Sequence, residues 1–286
     1  MTTGEIYNDF KSKLKTIYDD REAENIADWV FENVTHLQKW QRRENQNRQL
    51  PKAEYEKLKK YLEDLLKDKP VQYVLNEVWF YKTKFYVNEN VLIPRPETEE
   101  LVQWIVSDFK KEKYSESINI IDIGTGSGCI PISLKKELVK TTITAIDISR
   151  KALMVAKKNA VELDAKIDFF QIDFLKENEA EMLSQYDIIV SNPPYIPVSE
   201  KEILAKNVTE FEPEIALFVK DNDPFIFYKK IVDFAASHLK ENGKIYVEVH
   251  EEYAAEVKNI FDKAGFASEV KNDIYGKERM IRGVRV

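Results

Sequence analysis

The stretch INIIDIGTGSGCI, residues 118–130, joins an apolar run to a glycine-rich loop. The run INIIDI has the length and composition of a buried β-strand. Gly124, Gly126 and Gly128 then open a predicted helix, and such a loop lets the backbone approach a ligand with its amide groups directed at it. Cys129 stands where a dinucleotide-binding fingerprint has its third glycine, which makes a phosphate site less favoured. The stretch therefore predicts a ligand-binding strand–loop–helix unit.

The rest of the chain after this unit continues the alternation of strands and helices. The further apolar runs are TITAI (142–146), IDFFQI (167–172), YDIIV (186–190) and KIYVEV (244–249). Helical stretches separate them, for example SRKALMVAKKNAVEL (149–163) with Ser149 as its N-cap. This alternation predicts an α/β domain with a mostly parallel, doubly wound sheet and helices on both faces. FASEV (266–270) and RMIRGVRV (279–286) are predicted as closing strands.

Acidic and aromatic residues follow the second and third predicted strands. Asp147 comes twenty-three residues after Gly124, and an acid at that place suits bidentate hydrogen bonding to the two hydroxyls of a ribose. Phe174 follows Asp173 after the third strand, where its flat ring can cover a purine, although a phenylalanine there also suits core packing. A glycine turn or an acidic helix cap explains each feature alone, but together they predict a nucleoside ligand.

The first seventy residues differ in pattern, because their apolar residues recur at helical spacing. The stripes are Tyr7, Phe10, Leu14 and Ile17; Ala23, Ile26, Ala27, Val30 and Val34; and Leu58, Tyr61, Leu62, Leu65 and Leu66. They predict a small helical bundle over residues 1–70. The polar segment 36–54 predicts a solvated connection on which Lys39, Arg42 and Arg43 are exposed.

The pattern changes again at Pro70. VWFYKTKFYVNENVLIP, residues 78–94, has aromatic and β-branched residues on both sides of KT. It predicts a β-hairpin, with residues 71–92 linking the helical bundle to the α/β domain over 93–286.

Composition narrows the class of protein further. The chain has 286 residues, a formal charge of −7 and a pI near 5.3, which disfavours a constitutive nucleic-acid binder. Cys129 is the sole cysteine, so no intramolecular disulfide can form. With no signal peptide and no apolar run of membrane-spanning length, we expect a cytoplasmic protein. His36, His238 and His250 are too scattered in sequence to suggest a metal site.

The fourth predicted strand ends in SNPPY, residues 191–195. Neither proline can donate to a sheet, so the strand must stop there, and Asn192 is restricted because it precedes a proline. A stiff corner of this kind holds one amide side chain and one backbone carbonyl in fixed positions. With the glycine loop and Asp147, SNPPY resembles the [D/N/S]-P-P-[Y/F/W] signature of S-adenosylmethionine-dependent amino-methyltransferases, which methylate conjugated nitrogens such as adenine N6, cytosine N4 or glutamine N5.

Further motifs resemble one family within that class, the protein-(glutamine-N5) methyltransferases of the HemK/PrmC family. They are PVQYVLNEVWFY (70–81), VLIPRPETEELV (91–102), FEPEIAL (211–217) and YGKERM (275–280). The resemblance implies a Rossmann-like methyltransferase domain joined by the β-hairpin to a small all-helical N-terminal domain that docks the substrate protein. It also implies methyl transfer from S-adenosylmethionine to the glutamine of the Gly-Gly-Gln motif in peptide chain release factors. We expect a monomer that requires no nucleic acid and no membrane.

The same resemblance assigns roles to individual residues. Those expected to contact the cofactor are Gly124, Thr125, Gly126, Ser127, Gly128, Asp147, Phe174 and Asn192. Those expected to hold the substrate glutamine are Asn192, Pro193, Pro194 and Tyr195, of which Asn192, Pro193 and Tyr195 act in catalysis. Pro94, Arg95 and Thr98 would form the pocket wall, with an inter-domain salt bridge as the alternative for Arg95.

The chain departs from the family pattern at several positions. Many relatives have E-x-G-x-x-Q after the fifth strand, where this chain has Glu248, His250 and Tyr253, and Asn76 stands where a glycine is usual. The alternative functions are an adenine-N6 DNA methyltransferase, a ribosomal-protein glutamine methyltransferase, and a nucleotide-binding regulatory protein without catalysis. The negative net charge of the chain disfavours a DNA methyltransferase, and a regulatory protein without catalysis would not need SNPPY.

Overall fold

A computed structural model describes residues 1–112, 117–176 and 179–285 of the chain, which forms two compact units. One unit comprises Met1–Glu77 with Ala205–Phe211, and the other comprises Val78–Leu204 with Glu212–Val286. The range 71–92, predicted as the linker, begins with a short helix before the hairpin.

The first unit is built from helices. They are α1 (Thr3–Leu14), α2 (Asp20–Thr35), α3 (Lys39–Glu44), α4 (Lys52–Leu65) and α5 (Val71–Leu75). Side chains fix two of their starts: Thr2 forms a capping box with Glu5, and Asp19 accepts hydrogen bonds from backbone amides of the first turn of α2. The predicted apolar stripes are buried on these helices, except that Tyr7 and Tyr61 are half-buried. Ile17 and Leu66 are exposed because they lie just beyond the ends of α1 and α4.

The prediction that Arg42 is exposed was wrong. The side chain lies in α3, is buried, and donates a 2.5 Å hydrogen bond to Asp28. Its guanidinium group stacks 3.8 Å from the centre of the Tyr7 ring. Arg42 is therefore a core residue of the helical unit, because an acid and an aromatic ring on other helices receive its charge.

The second unit begins with the predicted β-hairpin, strands β1 (Val78–Phe80) and β2 (Thr83–Phe85). The turn was predicted at Lys82 and Thr83 but lies one residue earlier in the sequence. Tyr81 and Lys82 form the turn with φ of 45° and 64°, and Thr83 pairs with Phe80. A two-residue turn that matches strand twist requires positive φ at both central residues, and this sets the register.

Seven strands form the main sheet of the second unit in the described residues. They are β3 (Ile118–Ile123), β4 (Thr141–Asp147), β5 (Asp168–Gln171), β6 (Tyr186–Ser191), β9 (Leu239–Glu248), β10 (Phe266–Asn272) and β11 (Glu278–Arg285). Their order is β10-β11-β9-β6-β3-β4-β5, parallel from β9 to β5 and antiparallel at β10 and β11. Two short strands, β7 (Ile196–Pro197) and β8 (Phe218–Val219), pair separately.

Helices cover both faces of this sheet. They are α6 (Pro96–Glu112), α7 (Cys129–Glu137), α8 (Arg150–Glu162), α10 (Ile226–His238) and α11 (Ala254–Lys263), while α9 (Lys206–Phe211) belongs to the first unit. Trp104 of α6 packs on Tyr246 of β9, with ring centres 5.6 Å apart. Ile245, the residue before Tyr246 in the strand, points to the other face and shares a core with Tyr228 of α10 and Phe261 of α11. The predicted α/β fold class is confirmed.

The strand order reverses between β3 and β6. From β3 the chain proceeds to β4 and β5 on one side, then returns to place β6 on the other side of β3. Ligands of doubly wound sheets bind at such a switch point, outside the carboxyl ends of the strands. The glycine loop follows β3 and Asn192 follows β6, so the two predicted motifs lie beside each other at this edge.

Candidate active site

The glycine loop is open on the side where a ligand can approach. Gly124 and Gly126 have φ of 76° and 54°, and a Cβ atom on either would meet no other atom within 4 Å. Residues with side chains rarely adopt this backbone region, so both positions require glycine. Thr125 and Ser127, which follow these two glycines, are buried, and neither hydroxyl has a hydrogen bond of good geometry among the described residues.

Asp147 holds the glycine loop from the end of β4. Its Oδ2 accepts a 2.9 Å hydrogen bond from the Gly126 amide, and its Oδ1 accepts a 2.8 Å hydrogen bond from the Ser149 amide. Burial raises the pKa of Asp147, and these two backbone donors oppose the shift. Each carboxylate oxygen has further acceptor capacity, so Asp147 can bind ligand hydroxyls while it orients the loop.

A cavity of about 390 Å³ lies at the same sheet edge. Predicted site residues in its lining are Gly124, Asp147, Phe174, Pro193 and Pro194. The volume lies within the range of small-molecule sites, and the wall is mainly apolar, as such sites usually are. The ring of Phe174 lies edge-on to Phe234, with centres 5.5 Å apart, so Phe174 belongs to both the cavity wall and the core.

Asp122, which was not predicted as a site residue, lies in β3 two residues before the glycine loop. The side chain is fully buried, and neither carboxylate oxygen has a hydrogen-bond partner among the described residues. Burial raises the pKa of Asp122 to about 7; the nearby Thr125 hydroxyl, which makes no hydrogen bond of good geometry to the carboxylate, opposes this shift, and the charge of Asp147 adds to it. The available signal was an acidic residue within the apolar run INIIDI, since a buried acid without a hydrogen-bond partner is a candidate functional residue.

The SNPPY corner is tied to its neighbours by side-chain hydrogen bonds. Ser191 donates to the Ile123 carbonyl at 2.7 Å, which joins the end of β6 to the end of β3. The Nδ2 atom of Asn192 donates to Thr98 Oγ1 at 3.1 Å. Tyr195 donates to Glu248 Oε1 at 3.1 Å. The corner therefore has a defined side-chain orientation as well as a stiff backbone.

Glu248, noted in the sequence only as part of a family motif, lies buried at the end of β9. Besides Tyr195, it accepts a 2.6 Å hydrogen bond from Thr98. Burial raises the pKa of Glu248, while these two donors and the charge of Arg279 oppose the shift. Burial and the neighbouring Glu248 raise the pKa of Tyr195, so its hydroxyl stays protonated and acts as a donor.

The structure places the remaining predicted wall residues close by. Pro94 is buried, and Arg95 forms a 2.5 Å ion pair with Glu212, which also accepts a hydrogen bond from the Ile93 amide. Arg95 and Glu212 belong to the same unit, so the alternative of an inter-domain salt bridge was wrong.

Two of the departures from the family pattern have a local explanation. Asn76 ends α5 with φ of 56°, and asparagine tolerates this left-handed conformation better than other residues with side chains. Tyr253 donates to Glu200 at 3.2 Å, and His250 lies 3.8 Å from the same carboxylate. Both side chains thus pack around one acid beside Tyr195, whose ring centre lies 6.0 Å from that of His250.

The chain is similar to known proteins over most of its length. The Methyltransferase small domain matches residues 100–211, and the PrmC N-terminal domain matches residues 5–75. The release factor glutamine methyltransferase of Flavobacterium psychrophilum is 41% identical over 274 residues, 96% of this chain and 95% of that protein. The protein of the same name from Lactococcus lactis subsp. lactis is 37% identical over 94% of this chain and 97% of that protein. A solved methyltransferase structure from Pyrococcus furiosus aligns with a TM-score of 0.49 at 16% identity, covering 70% of this chain and 88% of that chain.

A doubly wound sheet that carries a methyltransferase domain, with a glycine loop at its switch point, defines an S-adenosylmethionine-dependent methyltransferase. The relatives then identify the group within that class. The chain belongs to the release factor glutamine methyltransferase family. The predicted family, enzyme class and cofactor are thereby confirmed, whereas the roles of individual site residues stay predictions.

The residues at the switch point fit this cofactor. S-adenosylmethionine carries a net positive charge, and the site offers Asp147 at the cavity and the unpaired Asp122 beneath the loop. The ribose hydroxyls suit the acceptor capacity of Asp147, and the apolar wall that includes Phe174 suits an adenine ring.

Other predictions concern absences. Within the residues described, no three His, Cys, Asp or Glu side chains are grouped as a metal ion requires. Over the same ranges, every helix is too short or too polar to cross a membrane. The lack of a metal, the monomeric state, the independence from nucleic acid and the cytoplasmic localisation stay predictions.

We expect Asp147→Ala to weaken cofactor binding while leaving the fold intact. A hydrogen bond to a charged group contributes roughly 1.5–3 kcal/mol, so one or two lost bonds to ribose imply at least about tenfold weaker binding. Calorimetric titration with S-adenosylhomocysteine measures the effect, and the melting temperature monitors the fold. Asp147→Asn, which keeps one acceptor oxygen, should bind S-adenosylhomocysteine with an affinity between those of the unchanged protein and the alanine variant. Unchanged affinity in the alanine variant would exclude the ribose role.

Proposed function

We propose that this enzyme transfers a methyl group from S-adenosylmethionine to the N5 side-chain amide of the glutamine in the Gly-Gly-Gln motif of a peptide chain release factor. The observation that carries the proposal is a pair of unused acceptors at the SNPPY corner. Among the described residues, no group donates a hydrogen bond to Asn192 Oδ1 or to the Pro193 carbonyl oxygen. A primary amide has two N–H donors, which these two acceptors can bind together.

The proposed role of the corner follows from the chemistry of amides. The nitrogen of an amide is a weak nucleophile because its lone pair is delocalised into the carbonyl group. Asn192 Oδ1 and the Pro193 oxygen, by holding both hydrogens, favour a pyramidal nitrogen whose lone pair faces the cavity, and the Tyr195 ring packs on the planar group. When bound, S-adenosylmethionine supplies an electrophilic methyl group there. Positioning and electrostatics would provide the acceleration, without a strong base at the nitrogen. The methyl group would leave S-adenosylhomocysteine behind, and the amide nitrogen would release one of its two protons to water.

The shape of the substrate loop and the negative charge of this enzyme favour a release factor over DNA as the substrate. Glycines carry no side chains to clash with the double-proline corner, so a Gly-Gly-Gln loop can present its amide on a narrow tip. An adenine in a duplex would first have to be flipped out, which requires a few kcal/mol, by a protein of formal charge −7. We assign the docking of the release factor to the helical residues 1–70, matched by the PrmC N-terminal domain.

One incubation tests the substrate. The enzyme is given labelled S-adenosylmethionine with a release factor, with ribosomal proteins and with DNA, and the products are analysed by peptide mass spectrometry and nucleoside analysis. We expect one methyl group per release factor, on the glutamine of the Gly-Gly-Gln motif, and no product after that glutamine is changed to alanine. A methylated adenine or ribosomal-protein glutamine, with the release factor untouched, would overturn the proposal in favour of that substrate.

A further inference from the structure

One buried carboxylate is linked to both ends of the SNPPY corner, directly to Tyr195 and through Thr98 to Asn192. Glu248 is 1% exposed and lies one residue beyond Val247, which pairs with Ser191 across β9 and β6. Its Oε1 accepts from the Tyr195 hydroxyl at 3.1 Å, and its Oε2 accepts from the Thr98 hydroxyl at 2.6 Å. Thr98 in turn accepts from Asn192 Nδ2 at 3.1 Å. The proposed function assigns nothing to Glu248.

Hydrogen bonds connect Glu248 to Thr98 and Thr98 to Asn192, and the direction of the first determines the direction of the second. When Glu248 is ionised, its carboxylate can only accept, so Thr98 must give its single hydroxyl hydrogen to Glu248. The Thr98 oxygen can then only accept from Asn192, which requires the NH₂ group of the amide to face Thr98. The carbonyl oxygen of Asn192 is left pointing the other way, with no donor among the described residues.

We propose that Glu248 is a positioning residue that fixes the amide orientation of Asn192 through Thr98. This inference rests on the proposed function, in which Asn192 Oδ1 accepts from the substrate nitrogen. A reversed Asn192 would present its own NH₂ to the substrate NH₂, and two donors facing each other cannot form a hydrogen bond. By the same carboxylate, Glu248 holds the Tyr195 ring at the other end of the corner.

Substitution by glutamine tests the carboxylate. The NH₂ group of the new side chain can donate to Thr98, whose hydroxyl is then free to donate to Asn192 and stabilise the reversed amide. For Glu248→Gln we expect kcat to fall about 100-fold, while the KM for release factor and the Kd for S-adenosylhomocysteine stay within about threefold. Glu256→Gln, the same change at an exposed position of α11, is the matched control and should leave all three constants unchanged.

Two substitutions of Thr98 test the relay. Thr98→Val keeps the shape but removes the hydroxyl, and it should lower kcat about as much as Glu248→Gln. Thr98→Ser restores the hydroxyl and should recover most of the lost rate. If Thr98→Ser loses as much as Thr98→Val, or if Glu248→Gln matches its control, the proposal is wrong. Cofactor binding by each variant reports that it is folded.

A measurement without substrate separates this proposal from the proposed function. In asparagine-labelled protein, the side-chain NH₂ of Asn192, assigned by its loss in Asn192→Ala, should exchange slowly because it donates to Thr98. We expect faster exchange in Glu248→Gln and Thr98→Val but not in Thr98→Ser or Glu256→Gln. That pattern alongside an unmethylated release factor would refute only the proposed substrate, and its absence would refute the positioning role whatever the substrate is.

Discussion

Asn192→Ala is expected to lower kcat for methyl transfer by about 10²–10³-fold, the usual loss when one hydrogen-bonding group aimed at the reacting centre is removed. Asn192 supplies one of the two unused acceptors at the corner, and its other contact, to Thr98, is made by Nδ2. An alanine leaves one substrate N–H without its partner, so the nitrogen is neither held nor pyramidalised. Affinity for S-adenosylhomocysteine should change little, since Asn192 is assigned mainly to the substrate amide.

Single-turnover rates with saturating cofactor measure this effect directly, and calorimetry measures binding. Asn119→Ala is the matched control, because Asn119 lies in the same sheet at the opposite, amino-terminal end of β3. Its rate should equal that of the unchanged enzyme. Turnover of Asn192→Ala within about threefold of the control, less than 1 kcal/mol of transition-state stabilisation, would show that Asn192 does not hold the reacting amide.

The sequence was sufficient for the features that depend on neighbouring residues. Strand β3, its glycine loop and the Ser149 cap of α8 are local patterns, and the structure contains each of them. The alternation of strands and helices then allowed few topologies, which placed SNPPY beside the glycine loop. The hairpin turn was predicted one residue too late, because nothing in the side chains of Tyr81 and Lys82 indicates the positive φ that both residues adopt.

Residues whose roles depend on distant partners were not predictable in this way. Thr98 and Glu248 form a buried hydrogen bond across 150 residues of sequence. Arg42 looked like a surface cation because Asp28, its partner, lies on another helix. For these side chains the deciding quantity is burial, which a single sequence does not give when the residue is polar.

Asp122 is the clearest example of a polar side chain whose burial the sequence did not show. This burial leads to the second prediction with a large expected effect, on stability and on cofactor binding. The pKa of this carboxyl is raised to about 7, from an ordinary value near 3.8. A group whose pKa is higher in the folded state gives full stability below the unfolded value, and stability is lost as the pH rises toward the folded value. In cofactor-free protein, the free energy of unfolding should therefore fall by a few kcal/mol between about pH 4 and pH 7, because Asp122 ionises in the unfolded chain over this range but stays protonated in the folded protein.

Asp122→Asn should consequently make the cofactor-free protein more stable and the cofactor more weakly bound. The melting temperature should exceed that of the unchanged protein most above pH 7, and the difference should narrow toward pH 4. The loss of a negative charge under the glycine loop should weaken S-adenosylhomocysteine, whose α-ammonium group is cationic, by at least about tenfold. The unchanged protein should itself bind more weakly below pH 7, where Asp122 takes up a proton.

Thermal melts and calorimetry across this pH range measure both effects, with the exposed Asp168→Asn as the matched control. A variant that gains stability but binds as tightly as the control would mean that Asp122 does not face the charge of the cofactor, and one that gains no stability would mean that the carboxyl is already compensated in the folded protein.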